Sequence, residues 1–319
     1  MTYRLGIDLG GTNIAAGVVD ENYKIVGRAK VKTARPRPAE EICDSMAQAA
    51  KMAIEDAGLT LKDITSAGLG TPGNADTKDG VVRYSNNMGF SNTPLAQMMK
   101  QRLGIDFIIE NDANAAAYGE YIAGAGKGTK DFVAITLGTG VGGGIIIDGK
   151  ILSGCLNFGG ELGHIVINVD GIQCNCGRKG CFETYASATA LVRQTKQAME
   201  NDKDSLMWKL CSGSLDKVNG ATAWDAWRKG DKAATQVVEN YCRYVAEGCT
   251  NLINIFQPEK LCIGGGISAE KDNLLKPVNA FIADNAYSRR TITSDRACVA
   301  ALGNDAGIIG AAFLDKLHK

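Results

Sequence analysis

Leu5-Gly6-Ile7-Asp8-Leu9-Gly10-Gly11-Thr12-Asn13-Ile14-Ala15-Ala16-Gly17-Val18-Val19-Asp20 sets apolar runs on either side of a glycine turn. Residues 3–9 predict a strand and residues 14–20 a second one, because short apolar runs bounded by a Gly/Thr loop suit a pleated, partly buried surface. Glu21-Asn22 is a turn signal, and residues 24–32 predict a third strand. The pattern returns at Asp131-Phe132-Val133-Ala134-Ile135-Thr136-Leu137-Gly138-Thr139-Gly140, followed by Gly142-Gly143-Gly144-Ile145-Ile146-Ile147-Asp148-Gly149-Lys150-Ile151-Leu152. Strand, Gly/Thr loop, strand, tight turn and strand recur in the same order. That repeat predicts an internal duplication, an α/β protein of two β-hairpin-led domains. The competing reading is that any two glycine-rich hairpins look alike.

The composition bounds what such a protein does. Lys+Arg and Asp+Glu both number 35, so bulk charge favours neither nucleic acid nor an anionic membrane as partner. The N-terminus has no charged-then-apolar leader pattern, and no stretch approaches the ~20 apolar residues of a membrane helix. Gly is abundant at 39 and Pro scarce at 6, which suggests close backbone approach to ligands, not disordered linkers. Seven of the ten cysteines are scattered singly and read as core thiols of a cytoplasmic protein.

Between the repeats, residues 40–57 carry Ile42, Met46, Ala50, Ala53, Ile54 and Ala57 at helical spacing and predict a helix packed on a sheet. Arg35-Pro36-Arg37-Pro38 reads as a connector with solvated arginines. Residues 64–69, 106–109, 260–263 and 297–302 predict strands, and 84–90 a polar loop. Helices are expected at 94–103, from about Ala115, at 184–200, around Trp224 and Trp227, and at 233–256, 273–282 and 305–317.

Three glycine loops follow strands: Gly10-Gly11-Thr12, Gly138-Thr139-Gly140 and Gly264-Gly265-Gly266. Glycine lets backbone N–H groups approach phosphate oxygens, and Thr12 and Thr139 add hydroxyls, so the set points to a nucleotide held between two domains. The patterns of a P-loop and of a Rossmann turn are both missing. Asp8 ends a strand beside the first loop and reads as an outer-shell Mg²⁺ ligand or as a structural turn residue. Asp112 also ends a strand, where α/β folds place catalytic groups; it is a general base or a helix N-cap.

Cys174-Asn175-Cys176-Gly177-Arg178-Lys179-Gly180-Cys181 follows His164 by ten residues. Three thiolates and an imidazole make a tetrahedral zinc set, whereas a disulfide would leave one cysteine over. Gly177 and Gly180 suit a tight loop. Asn87, Asn111, Asp112, Glu161, His164 and Glu183 form a set of amides and carboxylates with no Arg or Lys in their segments, which suits an uncharged polyhydroxyl ligand, a sugar.

Asp8-Leu9-Gly10-Gly11-Thr12, Glu110-Asn111-Asp112-Ala113-Asn114-Ala115, Leu137-Gly138-Thr139-Gly140-Val141-Gly142-Gly143-Gly144, Gly160-Glu161-Leu162-Gly163-His164 and the Cys174–Glu183 motif together resemble the ROK family of sugar kinases and repressors. The likeness runs in order over nearly the whole chain, and Glu183–Ala190 is most similar to the bacterial glucokinases. The resemblance implies a two-domain, actin-like (ribonuclease-H-like) ATPase fold with a central cleft. The expected domains are 1–114 with 304–319, and 115–303. It implies phosphorylation of a hexose by ATP and Mg²⁺, at the 6-hydroxyl for glucose, with Asp112 as general base. It assigns Asn111, Glu161, His164 and Glu183 to the sugar, with Asn87 and the Gly73 backbone as additions. His164, Cys174, Cys176 and Cys181 match structural zinc ligands. Adenosine is expected near Gly264–Gly266, and a dimer or tetramer is the family tendency. Phe90 stands where the family often has Trp, which bears on sugar choice. The first phosphate loop begins too early for a repressor's N-terminal DNA-binding domain. The other readings are an N-acetylmannosamine or N-acetylglucosamine kinase and, from another class, a non-catalytic ATP-binding switch.

Overall fold

Strand β1 (Tyr3–Leu9) buries Leu5, Ile7 and Leu9 completely, and the first sheet is built outward from it. In the computed structural model, which describes residues 1–288 and 296–317, β2 (Asn13–Val19) and β3 (Ile25–Lys32) follow as antiparallel neighbours. Residues 289–295 and the last two of the expected 304–319 segment lie outside the described set. Helix α1 (Ala39–Asp56) covers one face of this hairpin with Ile42, Met46, Ala50 and Ala53, as its 3.6-residue periodicity requires. β4 (Ile64–Thr71) then pairs parallel to β1.

The stretch expected to be a loop contributes to a small three-stranded sheet of β5 (Asn74–Asp76), β6 (Val81–Ser85) and β7 (Phe90–Thr93). Its pull is apolar: Val82, Met88 and Phe90 enter the core beside Leu95 and Met99 of α2 (Leu95–Leu103). β8 (Phe107–Asn111) completes the first sheet in the order β3-β2-β1-β4-β8.

Helix α3 begins at Asp112, not near Ala115, and runs to Ala123. The earlier start follows from its cap: Asn111 Oδ1 accepts the N–H groups of Ala113 (2.9 Å) and Asn114 (3.2 Å). Next come β9 (Phe132–Leu137), β10 (Val141–Ile147) and β11 (Lys150–Ile151). The helix expected over 184–200 is two helices, α4 (Glu183–Ala186) and α5 (Ala188–Asn201). Ser187 separates them because it is extended and caps α5, its Oγ accepting from Ala190 N at 3.0 Å. Short α6 (Leu206–Leu210) and α7 (Thr222–Trp227) precede the long α8 (Lys232–Phe256), which buries Val237, Val238, Tyr241, Val245, Cys249, Leu252 and Ile253 as its stripe predicts. β12 (Lys260–Gly264), α9 (Asp272–Asn285) and β13 (Ala297–Val299) follow. The closing helix α10 (Ala306–Ala312) ends five residues before Leu317, giving way to a 3₁₀ turn at Leu314–Lys316.

The second sheet has the order β11-β10-β9-β12-β13. In each sheet the third, second, first, fourth and fifth strands stand in that sequence, so the duplication read from the two glycine hairpins is real at the level of topology. The chain divides into two compact units, one of Met1–Phe132, Gly144–Gly160 and Ala301–Lys319, the other of Val133–Gly143 and Glu161–Ala300. The expected boundary at 114/115 falls inside α3, all of which belongs to the first unit. There α10 crosses α3 at contact distance: a β-carbon on Gly119 would overlap Ala306 O, and one on Gly310 would overlap Ala115 O. No helix among the described residues is long and apolar enough to cross a membrane.

Candidate active site

In the first unit the site forms where parallel strands β1, β4 and β8 end side by side. Asp8 is in register with Gly70, Gly70 with Glu110, and Thr71 with Asn111. Asp112, at the first turn of α3, makes an electrostatic pair with Asp8. Burial and then the Asp112 charge push Asp8 up from 3.8 to about 6. Neither cause involves a basic side chain. Two like charges repel here, and Asp8 is a candidate ligand for a divalent cation.

Asn111 settles which residue caps α3. Its Oδ1 serves the cap and its Nδ2 donates to Gly73 O at 3.1 Å, leaving one amide hydrogen for a ligand. Asp112 Oδ1 also accepts from Ala113 N (2.9 Å), so it shares one amide of the first turn, while Asn111, the cap residue, alone reaches Asn114 N. Glu110 was given no role by sequence reasoning. It is buried, and its Oε1 accepts from Asn111 N (2.9 Å) and Asn114 Nδ2 (3.0 Å), so it fixes the segment that carries Asp112. A buried carboxylate just before a candidate base was the available signal. Phe90 faces the core and is 2% exposed, so it acts on the neighbouring Asn87 loop through packing.

The first glycine loop is shaped by its own bonds. Gly10 N–H donates to Asn13 O (3.0 Å), while Thr33 ties down Gly10 O through its hydroxyl (2.6 Å) and Thr12 O through its N–H (3.0 Å). Gly10 thus builds the turn, and among the described residues the amides of Gly11 and Thr12 have no hydrogen-bond partner, which makes them candidate phosphate donors. The arginines of residues 35–38 are not simply solvated. Arg37 donates to Thr33 O and Ser45 Oγ (2.7 and 2.8 Å), and Arg35 Nη1 donates to Asn87 O at 2.6 Å.

In the second unit the Gly138–Gly140 loop is closed by Gly138 N–H to Gly140 O (3.0 Å), and Gly138 O accepts from Ala188 N at the start of α5 (2.8 Å). Gly265 packs against the Leu137 backbone, so the Gly138–Gly140 and Gly264–Gly266 loops adjoin. Gly163 packs against Val141 O, which seats the Glu161–His164 turn on the same loop. Glu161 is exposed, and no side-chain partner for it occurs among the described residues.

The ligand atoms of His164, Cys174, Cys176 and Cys181 all lie within 4.8 Å of one another. Cys174 Sγ is 3.7 Å from His164 Nδ1, and Cys176 Sγ is 3.5 Å from Cys181 Sγ. Zinc–sulfur bonds of about 2.3 Å give a tetrahedral edge of about 3.8 Å, so the set fits zinc. Gly177 and Gly180, at φ 92° and 75°, supply the left-handed turns that close the loop. Burial pushes the Cys174 thiol up to about 12 in the absence of a cation. Glu183 links this cluster to the Gly138–Gly140 loop: Cys174 Sγ–H donates to its Oε1 (3.2 Å), and Val141 N–H approaches its Oε2 at 3.4 Å. Helix α8 holds Glu183 from behind, with Phe182 seated against Gly248 and Tyr241 O–H donating to Ala186 O at 2.7 Å.

Cys176→Ser is expected to reduce bound zinc well below one per chain and to lower the melting temperature by about 10 °C, since losing a structural metal belongs among the largest single-site effects. Elemental analysis and a thermal melt check this; full zinc with unchanged melting would contradict it.

The chain has relatives over nearly its whole length. The chain is 37% identical to a glucokinase of Streptomyces coelicolor, with 98% of both chains covered, and 37% identical to one of Thermotoga maritima, with 98% and 96% covered. Its structure is similar to the crystal structure of a ROK family glucokinase from Streptomyces griseus in complex with glucose and AMPPNP. That likeness has a TM-score of 0.83 at 38% identity over 98% of each chain. The fold is the actin-like ATPase fold that ROK sugar kinases share. The ROK family model matches residues 4–317, and so takes in both halves of the duplication and every site residue described above: the chain belongs to the ROK family.

Proposed function

We propose that this protein is an ATP-dependent hexose kinase that phosphorylates glucose at its 6-hydroxyl, giving glucose 6-phosphate and ADP. The observation that carries the reading is Asp112, a carboxylate beside Asp8 at the first turn of α3, a helix whose cap position is held by Asn111. The likeness to glucokinases supports glucose as acceptor and ATP as donor.

In this mechanism the sugar is recognised by amides, carboxylates and an imidazole. Asn111 donates through its remaining amide hydrogen, and Asn87 and the Gly73 backbone extend the contact. Glu161 and Glu183 accept sugar hydroxyls. His164, with Nδ1 directed at the cysteines, keeps Nε2 for a hydroxyl. Zinc bound by His164, Cys174, Cys176 and Cys181 is structural and supplies rigidity, since four protein ligands leave no open position. Gly11, Thr12, Thr139 and Gly140 cradle the phosphates, and the Gly264–Gly266 loop receives the adenosine. Mg²⁺ held near Asp8 would supply charge neutralisation on the phosphates. Asp112 takes the proton of the 6-hydroxyl as O6 bonds to the γ-phosphorus and the bond to ADP breaks.

The test is ADP release with Mg²⁺-ATP across glucose, mannose, fructose, N-acetylglucosamine and N-acetylmannosamine. The highest kcat/KM is expected with glucose. An N-acetyl sugar in first place would keep the kinase and replace the substrate, and no ADP release from any sugar would overturn the kinase reading.

A further inference from the structure

Arg35 lies on the segment between β3 and α1, and both ends of that segment are tied down. Thr33, fully buried, is bonded to the first glycine loop, and Arg37 is bonded to Thr33 O and to Ser45 of α1. Between these anchors the Arg35 guanidinium lies flat on Gly11. Its Nη2, Cζ and Nε sit 2.9, 3.0 and 3.4 Å from where a β-carbon of Gly11 would stand. A side chain at position 11 would push this guanidinium aside. One arm of the guanidinium, Nη1, is fixed by Asn87 O at 2.6 Å.

The remaining donors are uncommitted. No carboxylate among the described residues forms an ion pair with Arg35, and the cation is not spent on Asp8, whose proton affinity is set by burial and Asp112 alone. A guanidinium presents five N–H donors in a plane that matches phosphate oxygens. Here that plane rests on a phosphate-loop glycine whose own amide is unused, and its other end touches the loop of a sugar-contacting candidate, Asn87. The group therefore bridges the phosphate-binding and the sugar-binding parts of the first unit.

We infer that Arg35 is a catalytic residue that hydrogen-bonds the phosphoryl group in transit from the nucleotide to the sugar hydroxyl. The inference rests on the kinase reading above and adds a residue to it. No bond is made to Arg35. The 6-hydroxyl proton goes to Asp112, O6 bonds to phosphorus, the bond to ADP breaks, and Arg35 donates N–H to the equatorial oxygens as they pass. Its positive charge offsets charge spread over those oxygens in a loose transition state.

The experiment compares wild type, Arg35→Ala and Arg35→Lys in steady-state kinetics with Mg²⁺-ATP and the best sugar of the panel, alongside direct glucose binding by titration calorimetry. Arg35→Ala is expected to lower kcat by about 10³-fold, the lower end of arginine contributions to phosphoryl transfer. Its glucose Kd should stay within about threefold, and Arg35→Lys, which keeps the charge but loses the planar fork, should fall between. Added guanidinium ion should restore part of the Arg35→Ala rate. A kcat for Arg35→Ala within about threefold of wild type overturns the inference and leaves the kinase reading standing. So does a defect confined to glucose Kd and KM, because that marks Arg35 as a support for the Asn87 loop only. A wild type that phosphorylates none of the sugars overturns the kinase reading and the inference with it.

Discussion

Asp112→Asn is expected to lower kcat by about 10²–10⁴-fold, the usual contribution of a positioned general base, with glucose affinity and melting temperature unchanged. The separation of activity from stability follows from the cap of α3. Asn111 Oδ1 accepts the Ala113 and Asn114 amides, and an asparagine at 112 keeps an Oδ1 for the Ala113 amide that Asp112 also accepts, so the cap survives. Asn111→Ala should do the reverse to the fold, losing about 1 kcal/mol of stability, typical of an N-cap deletion. Kinetics, glucose titration and a thermal melt on the two variants check the assignment. A large melting loss in Asp112→Asn would make Asp112 a structural residue, and near-normal turnover would remove it as the base.

Asp8→Asn should abolish most turnover and yet stabilise the protein at neutral pH. Asp8 titrates near 6 in the folded chain against an ordinary 3.8, because burial and the Asp112 charge disfavour its ionised form. The folded state therefore binds this proton more tightly than the unfolded chain does. The stabilisation is fully present below 3.8 and is lost as pH rises through about 6. Above that, the ionised carboxylate costs about 3 kcal/mol at 1.36 kcal/mol per pKa unit. An asparagine avoids this cost. In Mg²⁺-free buffer at pH 7.5 the variant should melt several degrees above wild type, and at pH 4 the difference should vanish. The same variant should lose most of the thermal shift that Mg²⁺-ATP gives wild type. A variant that melts lower at pH 7.5 would mean that Asp8 is a structural turn residue with favourable partners.

The parts of this architecture set by local chemistry were legible in the chain. The two glycine hairpins announced the duplicated sheets, the α1 and α8 stripes announced their buried faces, and the Cys174–Cys181 spacing with His164 announced a tetrahedral set that the structure assembles within 4.8 Å. The cap of α3 was not legible, because Asn111 and Asp112 are adjacent residues of similar capping strength. Only the backbone angles decide between them, and Asn111 has φ −59° and ψ 143°, outside the helix. The break at Ser187 was hidden in a run of good helix formers, where one extended residue starts a new helix. Arg35 was misread for a different reason. Its partner, Asn87 O, lies 52 residues away, and no local pattern marks an exposed arginine as lying against a glycine loop. Glu110 is the same kind of case, since its burial depends on Thr77 and Asn114 closing around it.

The most direct test of the central claim is phosphorus NMR of the zinc-loaded wild-type protein incubated with glucose, Mg²⁺ and ATP. The account predicts one glucose 6-phosphate for each ADP formed, with negligible inorganic phosphate. ATP consumed to inorganic phosphate without a sugar ester, or ATP left intact in the presence of glucose, would contradict it.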